Sequence, residues 1–105
     1  MSYRVAVLYG TPTDPAAFDE HYANTHVPLA AAVPGLAGFE WGKCAGMGKA
    51  DPPYYLAASL IFPTEEAMKS GLRSPEMQAA GADVANFATG GVTMFVVGEQ
   101  SGLSD

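Results

Sequence analysis

The 105-residue chain holds one cysteine, Cys44, which rules out an internal disulfide and any zinc site built from several thiolates. Lysine and arginine together number five against eleven acidic residues, for a net charge of −6. Nucleic acid needs a clustered basic footprint, and anionic membranes draw on the same residues, so neither partner fits. No apolar run approaches the length of a bilayer-spanning helix. No charged leader with an apolar segment opens the sequence, so a soluble, cytoplasmic protein is expected. Gly46-Met47-Gly48-Lys49 lacks the rest of a phosphate-binding loop, which leaves nucleotide binding without support. Internal repeats and low-complexity tracts are missing too.

Charge of either sign is scarce. Hydrophobic residues make up 49% of the chain and charged residues 15%, where an average globular protein carries roughly 25% charged. This length supports a single core, and small domains have much surface per unit volume. So few charges on so much surface imply that a second copy of the chain covers a large apolar area. The domain is expected over residues 1–98, followed by a polar tail, 99–105, that frays or drapes over a neighbour.

What is present reads as alternating elements. Tyr3 to Tyr9 is a β-branched and aromatic run stopped by Gly10, Pro12 and Pro15, the signature of a strand and turn. Asp14 before Pro15 pairs a capping side chain with a proline at the first helical position. The helix should run to about Asn24, because Pro28 has no amide hydrogen and collides with the carbonyl of Asn24. A kink or break near Asn24 to His26, then another turn or two over Pro28 to Val33, follows from that. Gly38 to Cys44 is a second strand, with Phe39, Trp41 and Lys43 on one face. Gly46 to Pro53 forms a loop and Tyr54 to Phe62 a third, nearly all-apolar strand. Thr64 caps a short helix that Gly71 weakens or ends. Ser74-Pro75-Glu76 repeats the cap-then-proline signal and starts a helix to about Asn86. Val92 to Val97 is the last strand.

The order β-α-β-β-α-β in one domain is the ferredoxin-like arrangement, α+β, an antiparallel four-stranded sheet with both helices on one face. A sheet with one wet face alternates apolar and polar residues, and these strands do not. Helices cover one side, so the other is expected to meet the same face of a partner in a homodimer.

The chemistry-bearing stretch is Phe18 to Leu29. At about 100° per residue, Phe18, Tyr22, Thr25, Leu29 and Val33 share a stripe with His26 at its edge. Histidine titrates near neutrality, so an imidazole at a core boundary can give or take a proton. His26 is therefore the candidate acid/base, and Tyr22, one turn earlier, can hydrogen-bond it or a substrate oxygen. The same pattern also fits a boundary histidine whose nitrogens bind backbone and water. His21 points to the other side of Phe18 and reads as exposed or interfacial. It lies five residues from His26, whereas helical metal pairs stand at i and i+4, so no metal site is expected. Trp41, Tyr54, Phe87 and Met94 are wall material for a hydrophobic pocket, or else plain core and dimer contact. Asp51 precedes two prolines and either delivers a carboxylate to the pocket mouth or stabilises its own turn. Cys44 reads as an inert thiol.

The opening strand, the Phe18…Tyr22…Thr25-His26-Val27-Pro28-Leu29 helix, Asp51-Pro52-Pro53-Tyr54 and the late Asn86-Phe87 together resemble the EthD family of the dimeric α+β barrel superfamily. His26 to Leu36, ending Pro34-Gly35-Leu36, is also similar to a related methylmuconolactone isomerase, in which a histidine at the matching place serves catalysis. The resemblance implies ferredoxin-like subunits joined through their sheets, each with a pocket between sheet and helices. It further implies a small, cofactor-independent enzyme of isomerase, dehydratase or cyclase type, with His26 acting on a compact hydrophobic, oxygenated substrate. The alternatives it leaves are a cofactor-free or haem-related monooxygenase, and a non-enzymatic protein that binds a hydrophobic ligand in ether or aromatic degradation. Family membership constrains fold more tightly than chemistry.

Overall fold

Alternating side chains make Tyr3–Tyr9 the strand β1, which sits inside the sheet and pairs antiparallel with a strand on either side. The computed structural model describes residues 2–103. Strands β2 (Gly38–Lys43), β3 (Leu56–Phe62) and β4 (Val92–Gly98) complete an antiparallel sheet of order β2-β3-β1-β4. Register puts Val5 opposite Leu60, Val7 opposite Ala58 and Tyr9 opposite Leu56, so these six share one face, all buried. Helices α1 (Pro15–His21), α2 (Val27–Ala31), α3 (Glu65–Leu72) and α4 (Pro75–Asp83) pack on that face. They contribute Phe18, Ala30, Met68 and Ala80 to the burial. This is the ferredoxin-like α+β fold that the element order predicts.

The three caps form where their residue types require. Asp14, Thr64 and Ser74 each accept a hydrogen bond from the backbone N–H three residues on, at Ala17, Ala67 and Met77. Gly71 does not end α3, which continues to Leu72. Its lack of a side chain has another use. A Cβ there would stand 2.6 Å from the Phe62 ring and 2.8 Å from the Pro34 carbonyl oxygen, so glycine lets α3 lie directly on the sheet.

The segment before Pro28 differs instructively from a plain kink. Between α1 and α2 the chain makes a π-turn over Tyr22–His26, in which the Val27 N–H reaches back five residues to the Tyr22 carbonyl. Widening the helix accommodates the proline ring that would otherwise press on the carbonyl at Asn24. The wider turn also shifts the phase of the buried stripe. Thr25, expected on that stripe, is exposed; His26 and Ala30 are buried, where a regular helix would place Thr25 and Leu29.

Strand β4 lies beyond the helical layer. All seven of its residues are exposed, with Val92, Met94 and Val96 on the helix side and Phe95 and Val97 on the other. Of the expected 99–105 tail, Glu99 is half-buried and tied to Ser2 and Arg4, while Ser104 and Asp105, like Met1, lie outside the described residues. Among the described residues no helix is long and apolar enough to cross a membrane.

Candidate active site

Tyr9 ends β1 on the helix side, and three aromatic rings close over it, two from α1 and its continuation and one from the turn after α4. Phe18, Tyr22 and Phe87 stand 5.6, 5.6 and 5.4 Å from the Tyr9 ring centre. The π-turn delivers the His26 imidazole into this cluster, 4.7 Å from Phe87 and 5.3 Å from Tyr22. The imidazole is 5% exposed. Taking it out of water disfavours its charged form and holds its pKa below the ordinary imidazole value, although the Asp83 carboxylate pulls the other way.

Asp83 is the residue that makes the arrangement chemical. It is the last residue of α4, and its side chain is buried. A carboxylate at a helix C-terminus faces the negative end of the dipole, and burial opposes its ionisation as well. Three donors outweigh both effects. His26 Nδ1 stands 3.0 Å from Oδ2, and Oδ1 accepts from His21 Nε2 at 2.8 Å and Asn86 Nδ2 at 3.1 Å. Burial raises the Asp83 pKa, yet these hydrogen bonds bring it below the usual carboxylate range, so the group is an anion at neutral pH. A neutral His26 beside an anionic Asp83 carries its proton on Nδ1, donating to Oδ2. Its Nε2 lone pair is then left as an acceptor. That nitrogen faces the Tyr9 hydroxyl at 3.4 Å, long for a hydrogen bond.

His26 lines a small pocket between the helices and the sheet, open to solvent at its mouth. Tyr9, Tyr22 and His26 supply its polar edge; Phe39, Leu60, Met77 and Met94 are among the apolar wall. The Tyr22 hydroxyl is buried and has no hydrogen-bond partner among the described residues. Burial pushes both phenols well above the ordinary tyrosine pKa, so each keeps its proton and is a donor, not a base.

Of the residues singled out in the sequence, His26, Tyr22 and Met94 line this pocket. Trp41 is 44% exposed and packs edge-on against Tyr22 at 5.0 Å. Phe87 backs His26 from behind and is not part of the wall. Tyr54 is half-buried and Asp51 exposed, both in the segment leading into β3, and neither reaches the pocket. His21, read as exposed or interfacial, is instead half-buried, bonded to Asp83 and stacked on Phe87 at 5.3 Å. Sequence reasoning missed Asp83 and Tyr9. The signals were there: Asp83 is the lone carboxylate on the buried stripe Ala80, Asp83, Phe87, and Tyr9 shares the face of Val5 and Val7. Among the described residues no group of three or more His, Cys, Asp or Glu side chains is arranged to hold a metal ion.

A family model described as the EthD domain matches residues 10–91. The chain belongs to the EthD family. An uncharacterised 11.0 kDa protein from the thcB-thcC intergenic region of Rhodococcus erythropolis is 46% identical over 101 residues, covering 96% of this chain and 98% of the relative. The crystal structure of an ethyl tert-butyl ether degradation (EthD) family protein from Bacillus halodurans superposes with a TM-score of 0.88 at 32% identity, over 95% of this chain and 100% of that one. A dimeric ferredoxin-like protein of unknown function from Thermobifida fusca shares the fold at a TM-score of 0.70 and 20% identity, over 92% of this chain and 90% of that one.

Proposed function

We propose that this EthD protein is a proton-transfer enzyme of the isomerase, dehydratase or cyclase type. Its substrate is a compact, apolar molecule carrying an enolisable or phenolic oxygen. The observation that carries the reading is the pairing, in one pocket, of an imidazole nitrogen held only by a long contact to the Tyr9 hydroxyl with a buried Tyr22 hydroxyl that has no partner among the described residues. His26 Nε2 takes the proton from a carbon or hydroxyl of the substrate, and Asp83 stabilises the imidazolium that forms. The Tyr22 hydroxyl donates to the oxygen on which negative charge then develops, in a site shielded from water. Returning the proton from Nε2 to a second position completes an isomerisation, and giving it to a departing hydroxyl completes a dehydration. No reductant or oxidant enters either balance.

The apolar wall is matched to such a substrate. Apart from the three residues of the polar edge, every side chain around the pocket is a hydrocarbon or thioether, so a carboxylate or phosphate would enter without a counter-charge. Trp41, at the rim beside Tyr22, extends the apolar approach. The same wall also suits a carrier that holds its ligand unchanged. Mass spectrometry of co-purified small molecules, before and after incubation, separates the two.

The assembly belongs to this reading. Ferredoxin-like relatives from Thermobifida fusca and Jannaschia are described as dimeric, and β4 here offers Phe95 and Val97 on the sheet face opposite the helices. A homodimer joined through that face covers them.

The test is His26→Gln, which keeps a polar side chain of similar length but cannot act as a base. Removing a general base costs on the order of 10²-fold or more in turnover. Solvent-deuterium incorporation into a panel of small ketones, lactones and phenols, followed by NMR, should collapse in the variant. Equal incorporation by the two proteins would sink the assignment.

A further inference from the structure

His21 bonds Asp83 from outside the pocket. It lines none of the pocket wall, yet its Nε2 is 2.8 Å from Asp83 Oδ1, and its ring lies on Phe87 at an interplanar angle of 26°. In a regular α-helix residues five apart point about 140° away from each other. The π-turn between His21 and His26 changes that, since its hydrogen bonds join residues five apart. Both imidazoles therefore reach the same carboxylate, one on each oxygen.

We infer that His21 is a positioning residue for His26, acting through Asp83. By holding Oδ1 it fixes the plane of the carboxylate, keeps Oδ2 aimed at His26 Nδ1, and so leaves His26 Nε2 without a proton, as an acceptor. The inference rests on the proposed role of His26 as a base and deepens it.

The geometry supports this over simple packing. Asn86, the other donor to Oδ1, is three residues from Asp83 in the same turn of chain and moves with it. His21 ends α1, so its hydrogen bond ties the end of α4 to the helix that runs on into the π-turn carrying His26. Without that tie the carboxylate can rotate about its side-chain bonds toward water or Asn86. His26 Nδ1 then loses its acceptor, and the imidazole is free to carry its proton on Nε2. A ring that only filled space against Phe87 would have no such consequence.

The experiment compares three proteins by two-bond ¹H–¹⁵N NMR on histidine-labelled samples, which reports directly which ring nitrogen of His26 holds the proton. Wild type is expected to show the Nδ1–H form. His21→Phe keeps a ring against Phe87 but has no donor, and its ratio of Nδ1–H to Nε2–H should fall by roughly tenfold or more, the scale of one hydrogen bond to a charged group. His21→Gln restores a donor and should restore the wild-type ratio. If both variants keep the wild-type form, or both lose it, the positioning role is overturned. Should His21→Phe fail to fold, His21→Ala with added imidazole replaces it, and restoration of the Nδ1–H form by imidazole is then the expected result. Adding phenol as a probe distinguishes the two readings: wild-type His26 signals that ignore saturating phenol count against the pocket reading, whatever the tautomer ratios show about His21.

Discussion

An imidazole buried among phenyl and phenol rings loses hydration, and the loss weighs more on its cation than on its neutral form. For His26 this tendency wins over the nearby carboxylate, and the pKa ends below its ordinary value. The linkage follows directly. The unfolded chain binds a proton at this position near the ordinary value of 6.5, before the folded chain does. Stability from neutral His26 is therefore complete above 6.5 and is lost as pH falls through that value toward the folded pKa. Asp83, with its pKa also lowered, adds stability that is present above 3.8 and lost below it. Thermal melts should show a first decline just below the imidazole value and a second in the carboxylate range; the first should vanish in His26→Gln. Tyr22 presents the opposite balance. Its hydroxyl is buried without a partner, a state that costs about 1–3 kcal/mol. Tyr22→Phe should accordingly raise the melting temperature while weakening phenol binding and turnover. A variant that is both less stable and fully active would contradict the role given to that oxygen.

At the scale of elements, packing distances make specific demands. Gly71 brings α3 against Phe62 and the Pro34 carbonyl. Gly71→Ala forces one of them to move, and overpacking of this kind costs about 1–3 kcal/mol, readable in a denaturant titration. The four strands and the three capped helix starts were legible because their residue types act locally: β-branched runs, capping oxygens, prolines at first positions. The end of α3 was not, because a glycine that weakens a helix in isolation is the residue that lets this one dock. The π-turn was half legible. Pro28 announced a disturbance near Asn24, but steric conflict can be relieved by a break or by widening, and only packing against β1 decides which. That choice governed the site. With a regular helix the buried stripe runs through Thr25, and with the wider turn it runs through His26. His26 and Tyr22 were readable as polar groups beside an apolar stripe. Asp83 was hidden by its sequence separation of 62 and 57 from His21 and His26, a contact that no local periodicity encodes.

For the whole molecule, the open question of surface falls on β4. Five of its side chains are large, apolar and exposed, on both faces of the sheet edge. Exposed patches of this kind mark association sites in soluble proteins. Replacing Phe95 and Val97 together by aspartate should convert a dimer to a monomer in analytical ultracentrifugation while leaving the far-ultraviolet spectrum of the fold intact. A double variant that sediments as wild type does would place the contact elsewhere.

Met94 belongs at once to that uncovered strand and to the pocket wall. A partner that reaches round the edge of the sheet to its helix side would therefore also sit beside the pocket mouth. For such a partner, association and pocket occupancy would be two readings of a single equilibrium, each able to shift the other by mass action. Dilution alone would then loosen the grip on a guest molecule, with no change to any atom that touches it.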